Sequence, residues 1–75
     1  MIKTDREVIT ELQAVMQNMR ELGLTTARMQ HFFDVGEWLI CFEGAWMLVQ
    51  DDPDHALKLN ASYLALEAYF ADELG

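Results

Sequence analysis

The chain of 75 residues is poor in residues that cross-link or interrupt a fold, with one cysteine, one proline and four glycines. Because Cys41 is alone, no disulfide can form within the chain. Positive charge is also scarce, since 5 lysine and arginine residues stand against 13 acids and the net charge is -8. Such a surface repels nucleic acid and anionic lipid, so we expect a basic protein as the partner.

A membrane-spanning run is missing as well. The longest apolar stretch, residues 38 to 49, has 12 positions and is interrupted by Glu43 and Gly44, whereas a bilayer requires about 20 apolar residues. The N-terminal segment MIKTDREVITEL lacks the basic-then-apolar order of a signal peptide. A lone cysteine fits a reducing compartment. We therefore expect a cytoplasmic protein that does not associate with membranes.

The sequence is 52% hydrophobic, and its apolar residues recur at helical spacing. Thr4 and Glu7 have the spacing of a capping box, which predicts the start of a first helix. Gly23 is suited to end that helix in a left-handed conformation. Between them runs one apolar stripe: Val8, Leu12, Val15, Met19 and Leu22.

Two further helices are predicted in the middle of the chain. The second runs from Thr25 or Thr26 to about Val35, and Gly36 closes it. The third runs from about Glu37, whose carboxylate suits the positive end of the helix dipole, to about Gln50. The third helix is apolar on nearly all sides, so we expect other elements to surround it.

The segment after residue 50 predicts a fourth helix. Asp52 is a suitable cap and Pro53 a suitable first residue, and the helix should continue to about Glu73. Its expected apolar stripe consists of Leu57, Ala61, Leu64 and Ala68 and is broadened by Leu59, Leu66 and Phe70. The sequence as a whole predicts an all-α fold, a single domain over residues 1–75 built as an antiparallel bundle of about four helices.

Catalytic and metal-binding patterns are weak. Cys41 lies between Ile40 and Phe42, and such apolar surroundings raise the pKa of a thiol. Glycine-rich phosphate loops and nucleophile elbows do not occur. Two pairs at helical spacing, His31 with Asp34 and Asp52 with His55, would each supply two metal ligands but not a third. We therefore expect a protein without catalytic residues, metal or cofactor.

The distribution of the acids is the most informative functional feature. Between Arg28 and Lys58 the chain has six acids and no base: Asp34, Glu37, Glu43, Asp51, Asp52 and Asp54. Some of these acids suit helix caps, and charged faces are usually solvated surface. Helical proteins nevertheless tend to mix the two signs, and unopposed like charges destabilise a fold. We therefore interpret the six acids as the candidate surface for a basic partner. Glu37 and Glu43 are six positions apart and cannot share one helix stripe, so at most one of these two belongs to the interface.

The stretch MQHFFDVGEWLICFEGAW resembles small helical immunity proteins of bacterial toxin systems. The resemblance covers about residues 29 to 50 and rests on a glycine-glutamate-aromatic corner followed by an apolar helix that holds a glutamate. The matching residues are Phe32, Phe33, Gly36, Glu37, Trp38 and Glu43. The groups concerned accompany contact-dependent growth-inhibition toxins, Maf-type toxins and colicin-D-like tRNA nucleases.

This resemblance implies a protein that binds and neutralises a cognate basic toxin, with a nuclease as the expected class. Carboxylates would occupy the cleft in which such a toxin holds phosphates. The alternative is a small helical interaction or regulatory module that forms a homodimer to bury its excess apolar surface. Either function requires protein-protein contact.

Overall fold

The computed structural model describes residues 2–74, without the side chains at positions 56 and 57. About 77% of the chain is helical, and the described residues contain no strand, which confirms the predicted all-α class. The elements are, in chain order, α1 (Asp5–Glu21), α2 (Ala27–Asp34), α3 (Trp38–Asp51), a 3₁₀ helix (Pro53–Leu57), α4 (Ala61–Tyr69) and α5 (Ala71–Leu74).

Helix α1 begins as its capping sequence predicts. The Thr4 hydroxyl accepts a hydrogen bond from the Glu7 backbone N–H at 3.3 Å. The Glu7 carboxylate differs from the expected capping box, because it accepts from the Thr4 hydroxyl at 3.2 Å and not from the Thr4 backbone. The helix gives way at Gly23, whose φ of +81° is confirmed as left-handed.

Helices α2 and α3 form a hairpin around Gly36, which has a φ of +79°. At the corner, the rings of Phe33 and Trp38 lie 5.5 Å apart. Further along, Met29 packs under Gly44, where a Cβ atom would come within 2.6 Å of the methionine Cγ. The end of α2 thus contacts the start of α3, and the start of α2 contacts the middle of α3. The two helices are therefore antiparallel.

The fourth predicted helix is wrong in its continuity. Residues 53–57 form a 3₁₀ helix, and α4 begins at Ala61. The reason is tertiary: the Asn60 backbone N–H donates to Asn18 Oδ1 at 2.9 Å, and Asn60 Nδ2 donates to the Ala14 carbonyl at 3.3 Å. These bonds fix the N-terminus of α4 against α1 and break the chain away from one straight helix.

The apolar stripe predicted for this segment is wrong in its central residues and right at Leu66 and Phe70. Leu64 is 62% exposed, Ala61 and Ala68 are exposed, and the Leu57 side chain lies outside the description. Leu66 and Phe70 are buried as expected, together with Tyr63, which the stripe did not include. The rings of Tyr63 and Phe70 lie 5.2 Å and 5.8 Å from that of Phe42. Either the side with Leu64 or the side with Tyr63 and Phe70 can face the interior, and the side with the aromatic residues buries more surface.

Helix α3 is the centre of the fold, since it contacts α1, α2, the 3₁₀ helix and α4. Its inner side carries Cys41, Phe42, Ala45 and Val49, all of which are buried. The expectation that other elements surround α3 is nevertheless wrong, because Ile40 is 39% and Met47 is 53% exposed. In a chain of this length there are too few elements to cover every side of a central helix.

Candidate functional site

The six predicted acids follow the length of α3. Asp34 and Glu37 lie at the corner that precedes it, Glu43 lies in its middle, and Asp51, Asp52 and Asp54 lie at its C-terminal end. Residues 37 and 51 are 14 positions apart, which corresponds to about 20 Å of helix. That separation exceeds the Debye length of about 8 Å at physiological salt. Along the axis of α3 the acids therefore form two end groups with Glu43 between them, and the six-residue spacing of Glu37 and Glu43 places these two on different helix stripes.

At the first end, both carboxylates are exposed. Asp34 Oδ1 accepts a hydrogen bond from Gln30 Nε2 at 2.8 Å, which holds the carboxylate on the surface of α2. Glu37 occupies the N-cap position of α3, but its side chain makes no capping hydrogen bond. Neither carboxylate has a structural role that would prevent contact with a partner.

At the second end, Asp52 has a structural role. Its Oδ1 accepts from the Asp54 backbone N–H at 3.1 Å, and its Oδ2 lies 3.9 Å from His55 Nε2. The other ring nitrogen, His55 Nδ1, lies 3.1 Å from the Leu48 carbonyl oxygen, to which it donates. Asp52 thus joins the 3₁₀ helix to the end of α3, as its predicted capping position implies.

Between α2 and α3 lies a surface groove with a volume of about 310 Å³, and Glu43 is one of the residues that line it. Positions 40, 43, 44, 47 and 51 of α3 are spaced so that they share one face of the helix. This face and the start of α2 form the walls. The residues that line it include Arg28, Ile40, Glu43, Gly44, Met47 and Asp51.

The negative charges of this surface are not neutralised within the fold. Over residues 2–74, the one contact within 4.0 Å between a carboxylate and a basic side chain is that of Asp52 with His55, so no carboxylate is paired with lysine or arginine. Asp51, moreover, is the last residue of α3. A carboxylate at the negative end of a helix dipole destabilises that helix. Folding therefore does not account for the presence of Asp51.

Cys41 is unsuited to catalysis. It is fully buried, and this burial raises the pKa of its thiol to about 11, which confirms the expected direction. The reactive thiolate is a very small fraction of such a thiol at neutral pH. In the part of the chain that the structure describes, no three His, Cys, Asp or Glu side chains are grouped as metal ligands would be.

Sequence reasoning missed the apolar part of this site. Ile40 and Met47 lie on the same face as Glu43 and Asp51, and this spacing is readable in the sequence. Helix α3 has two other apolar stripes, one that includes Phe42 and one that includes Cys41, so its apolar residues alone do not show which side stays exposed. The signal that would have separated the three stripes is charge, since only this one includes carboxylates.

Comparison of the chain with models of protein families, with curated protein sequences and with solved structures finds no match. Among the described residues, no helix combines the length and the apolar character needed to cross a membrane.

Proposed function

We propose that this chain is a cytoplasmic immunity protein that binds a basic toxin domain through the acidic surface of α3 and thereby neutralises it. The toxin class that fits best is a nuclease, because its nucleic-acid cleft must be basic. No catalytic step by the chain is involved. The inhibitor occupies the cleft sterically, and its carboxylates take the place of substrate phosphates.

The observation that carries this proposal is the unneutralised charge along α3. Six acids lie in α3 or next to its two ends and lack lysine or arginine partners among the described residues. Asp51 is placed where it opposes the helix dipole. Retaining destabilising charges is explained if a cationic surface neutralises them on binding.

The same charges would serve the speed of inhibition. Opposite fields steer two proteins together and raise the association rate constant, most strongly at low salt. A toxin that acts on nucleic acid must be captured before it reaches its substrate. The resemblance of residues 29 to 50 to helical immunity proteins agrees with this role.

Two measurements test the proposal. The tagged chain is used to capture proteins from the source cell at low salt, with mass spectrometry to identify them, and the captured protein is then assayed for toxicity with and without added chain. We expect a basic protein, encoded next to this chain, whose activity stops on addition. The matched control is the chain with all six acids changed to their amides. A captured protein that stays active when saturated would refute the proposal.

A second candidate function is supported by the outer face of α4. Ala61, Leu64 and Ala68 are exposed, Ala65 is half-buried, and none of them carries charge. On a chain of net charge -8, a neutral apolar face is where a second copy can approach without like-charge contact. We propose self-association through this face as the alternative, with the chain acting as a dimeric interaction module.

Sedimentation of the purified chain distinguishes this alternative. A dimer that becomes monomeric in Leu64→Glu, but stays dimeric in Met47→Glu, would assign the contact to α4. A chain that stays monomeric up to about 100 μM would refute this alternative. A dimer with a dissociation constant of about 1 μM, or about 8 kcal/mol, would be almost fully formed at that concentration.

A further inference from the structure

We propose that the groove between α2 and α3 is the docking site for a cationic amphipathic segment of the partner, one that places an apolar side chain between two lysine or arginine residues. This inference rests on the proposed function, because it names the part of the acidic surface that makes the central contact. The occupant is argued from the shape, the lining and the charge of the groove.

One residue sets how closely the two walls of the groove approach each other. Gly44 lies on the groove face of α3, where an added Cβ atom would come within 2.6 Å of Met29 Cγ. Glycine in a helix interior costs about 1 kcal/mol relative to alanine. The close approach of α2 to α3 thus depends on Gly44, and Met29 fills the space that a side chain at position 44 would occupy.

The apolar lining is adaptable and partly exposed. Three of the five methionines, Met19, Met29 and Met47, line the groove, and Met47 is 53% exposed. Ile40, which is 39% exposed, lies two turns away on the same face. Methionine-rich grooves accommodate apolar side chains of varied shape, and a helix laid into a groove is a common mode of recognition.

The charges decide what kind of segment fits. Glu43 and Asp51 are eight positions apart on one face of α3, so they lie about 12 Å apart along the helix. Met47 lies between them. An apolar side chain seated on Met47, with a cation on either side, would match both the apolar and the charged groups of this face.

Arg28 also lines the groove and places one positive charge beside the carboxylates of Glu43 and Asp51. Its guanidinium carbon lies 5.9 Å from the centroid of the Phe32 ring, within the range of a cation–π contact. The two carboxylates outnumber this single cation. A second copy of the chain is a poor occupant here, because each copy carries a net charge of -8.

The test uses a synthetic helix-forming peptide of about 18 residues, long enough to be helical, with one leucine stripe flanked by lysines. A peptide with glutamate at every lysine position is the probe for charge. The charge variant of the full chain is Glu43→Gln with Asp51→Asn. Its matched control is Glu73→Gln with Asp72→Asn, two exposed acids of α5 that do not line the groove. The apolar variant is Met47→Ser, and its matched control is Leu64→Ser.

We expect the lysine peptide to bind and the glutamate peptide not to bind. The two groove variants should each weaken binding about tenfold, a loss of about 1.4 kcal/mol, and the two controls should change it less than about twofold. Equal weakening by the groove and control charge variants would overturn the inference, because binding would then follow net charge alone. Equal effects of Met47→Ser and Leu64→Ser would overturn it as well.

The same variants separate this inference from the proposed function. A captured toxin that is neutralised equally well by the groove variants, but not by an Asp34→Asn and Glu37→Gln variant, would overturn the groove while the proposed function stands. Groove-dependent peptide binding by a chain that neutralises no toxin would support the groove and refute the proposed function.

Discussion

Helices α3 and α4 both leave an apolar face exposed, but the two faces differ in charge. The outer face of α3 carries Ile40 and Met47 together with Glu43 and Asp51. The outer face of α4 carries Leu64 among alanines and no charged residue. Burial of apolar area would stabilise a complex at either face, since the hydrophobic effect does not depend on the partner. Charge is what selects the partner.

The comparison separates affinity from specificity. On α3, carboxylates around the apolar residues favour a cationic partner and disfavour an anionic one, including another copy of this chain. On α4, the absence of charge permits contact with any apolar surface, and the alanines allow close approach. A single helix face thus acquires a preferred partner through two charged residues, without a change in its apolar content.

The largest expected effect contrasts the inner and outer sides of α3. Phe42→Ala should destabilise the fold by about 3–5 kcal/mol, because Phe42 is fully buried and its truncation leaves a cavity. Met47→Ser should change stability by less than about 0.5 kcal/mol, as is usual for surface positions. Chemical denaturation of both variants provides the measurement. A large effect of Met47→Ser would show that the groove side is part of the core.

The next effect concerns the inner sides of α3 and α4 at high pH. Burial raises the pKa of the Cys41 thiol from 9.0 to about 11. The unfolded chain loses this proton first, so stability is fully present below about pH 9 and falls by about 3 kcal/mol as the pH rises to about 11. Denaturation of the parent and of Cys41→Ala at several pH values isolates this slope.

A smaller contribution of the same sign comes from α4. Burial, followed by the charge and the hydrogen bond of Glu67, raises the pKa of Tyr63. Tyr63→Phe should therefore remove part of the stability loss that remains in Cys41→Ala above pH 10, the ordinary pKa of tyrosine. If Cys41→Ala shows the full slope of the parent, burial of the thiol does not cause it.

Gly44→Ala tests how closely α2 and α3 approach. Alanine gains about 1 kcal/mol of helix propensity, but overpacking against the buried Met29 costs about 1–3 kcal/mol. We expect a net destabilisation of about 1 kcal/mol by thermal or chemical denaturation. The matched background is Met29→Ala, in which Gly44→Ala should become stabilising. Stabilisation in the parent background would mean that Met29 moves aside easily.

The smallest effect on stability is expected at the charges of the groove face. Asp51→Asn should raise stability by about 0.3–1 kcal/mol, since it removes a carboxylate from the negative end of α3. Together with Asp34→Asn it should also slow association with a basic partner and flatten the salt dependence of that rate. Stopped-flow mixing at low and high salt measures this association rate. Rates that equal those of the parent at both salt concentrations would identify these acids as solvated surface.

The local features of this chain were readable from the sequence. The Thr4 cap, the left-handed Gly23 and Gly36, and the role of Asp52 before Pro53 are all present. Such features depend on neighbouring residues and on backbone sterics, so sequence spacing is enough to predict them. The burial of Cys41 was predictable for a similar reason, because both of its neighbours along the chain are apolar.

Features that depend on competition between surfaces were not readable. Helix α3 has three apolar stripes and α4 has two, and the sequence does not rank them. Contacts made at long range decided the outcome: Phe42 stacks with Tyr63 and Phe70, while Asn60 is tied to Ala14 and Asn18 of α1. Because of these contacts, Leu64 faces outward and the predicted fourth helix is interrupted before Ala61.

The sequence by itself determined the all-α class, the Thr4 and Asp52 caps, the glycine ends of α1 and α2 and the excess of acids, because each depends on composition or on residues a few positions apart. The tertiary structure alone decided that Glu43 and Asp51 share a groove with Ile40 and Met47, and that Leu64 faces outward. The physical reason is surface area: a chain of 75 residues has more apolar stripes than its few helices can cover, and only packing chooses which ones stay exposed.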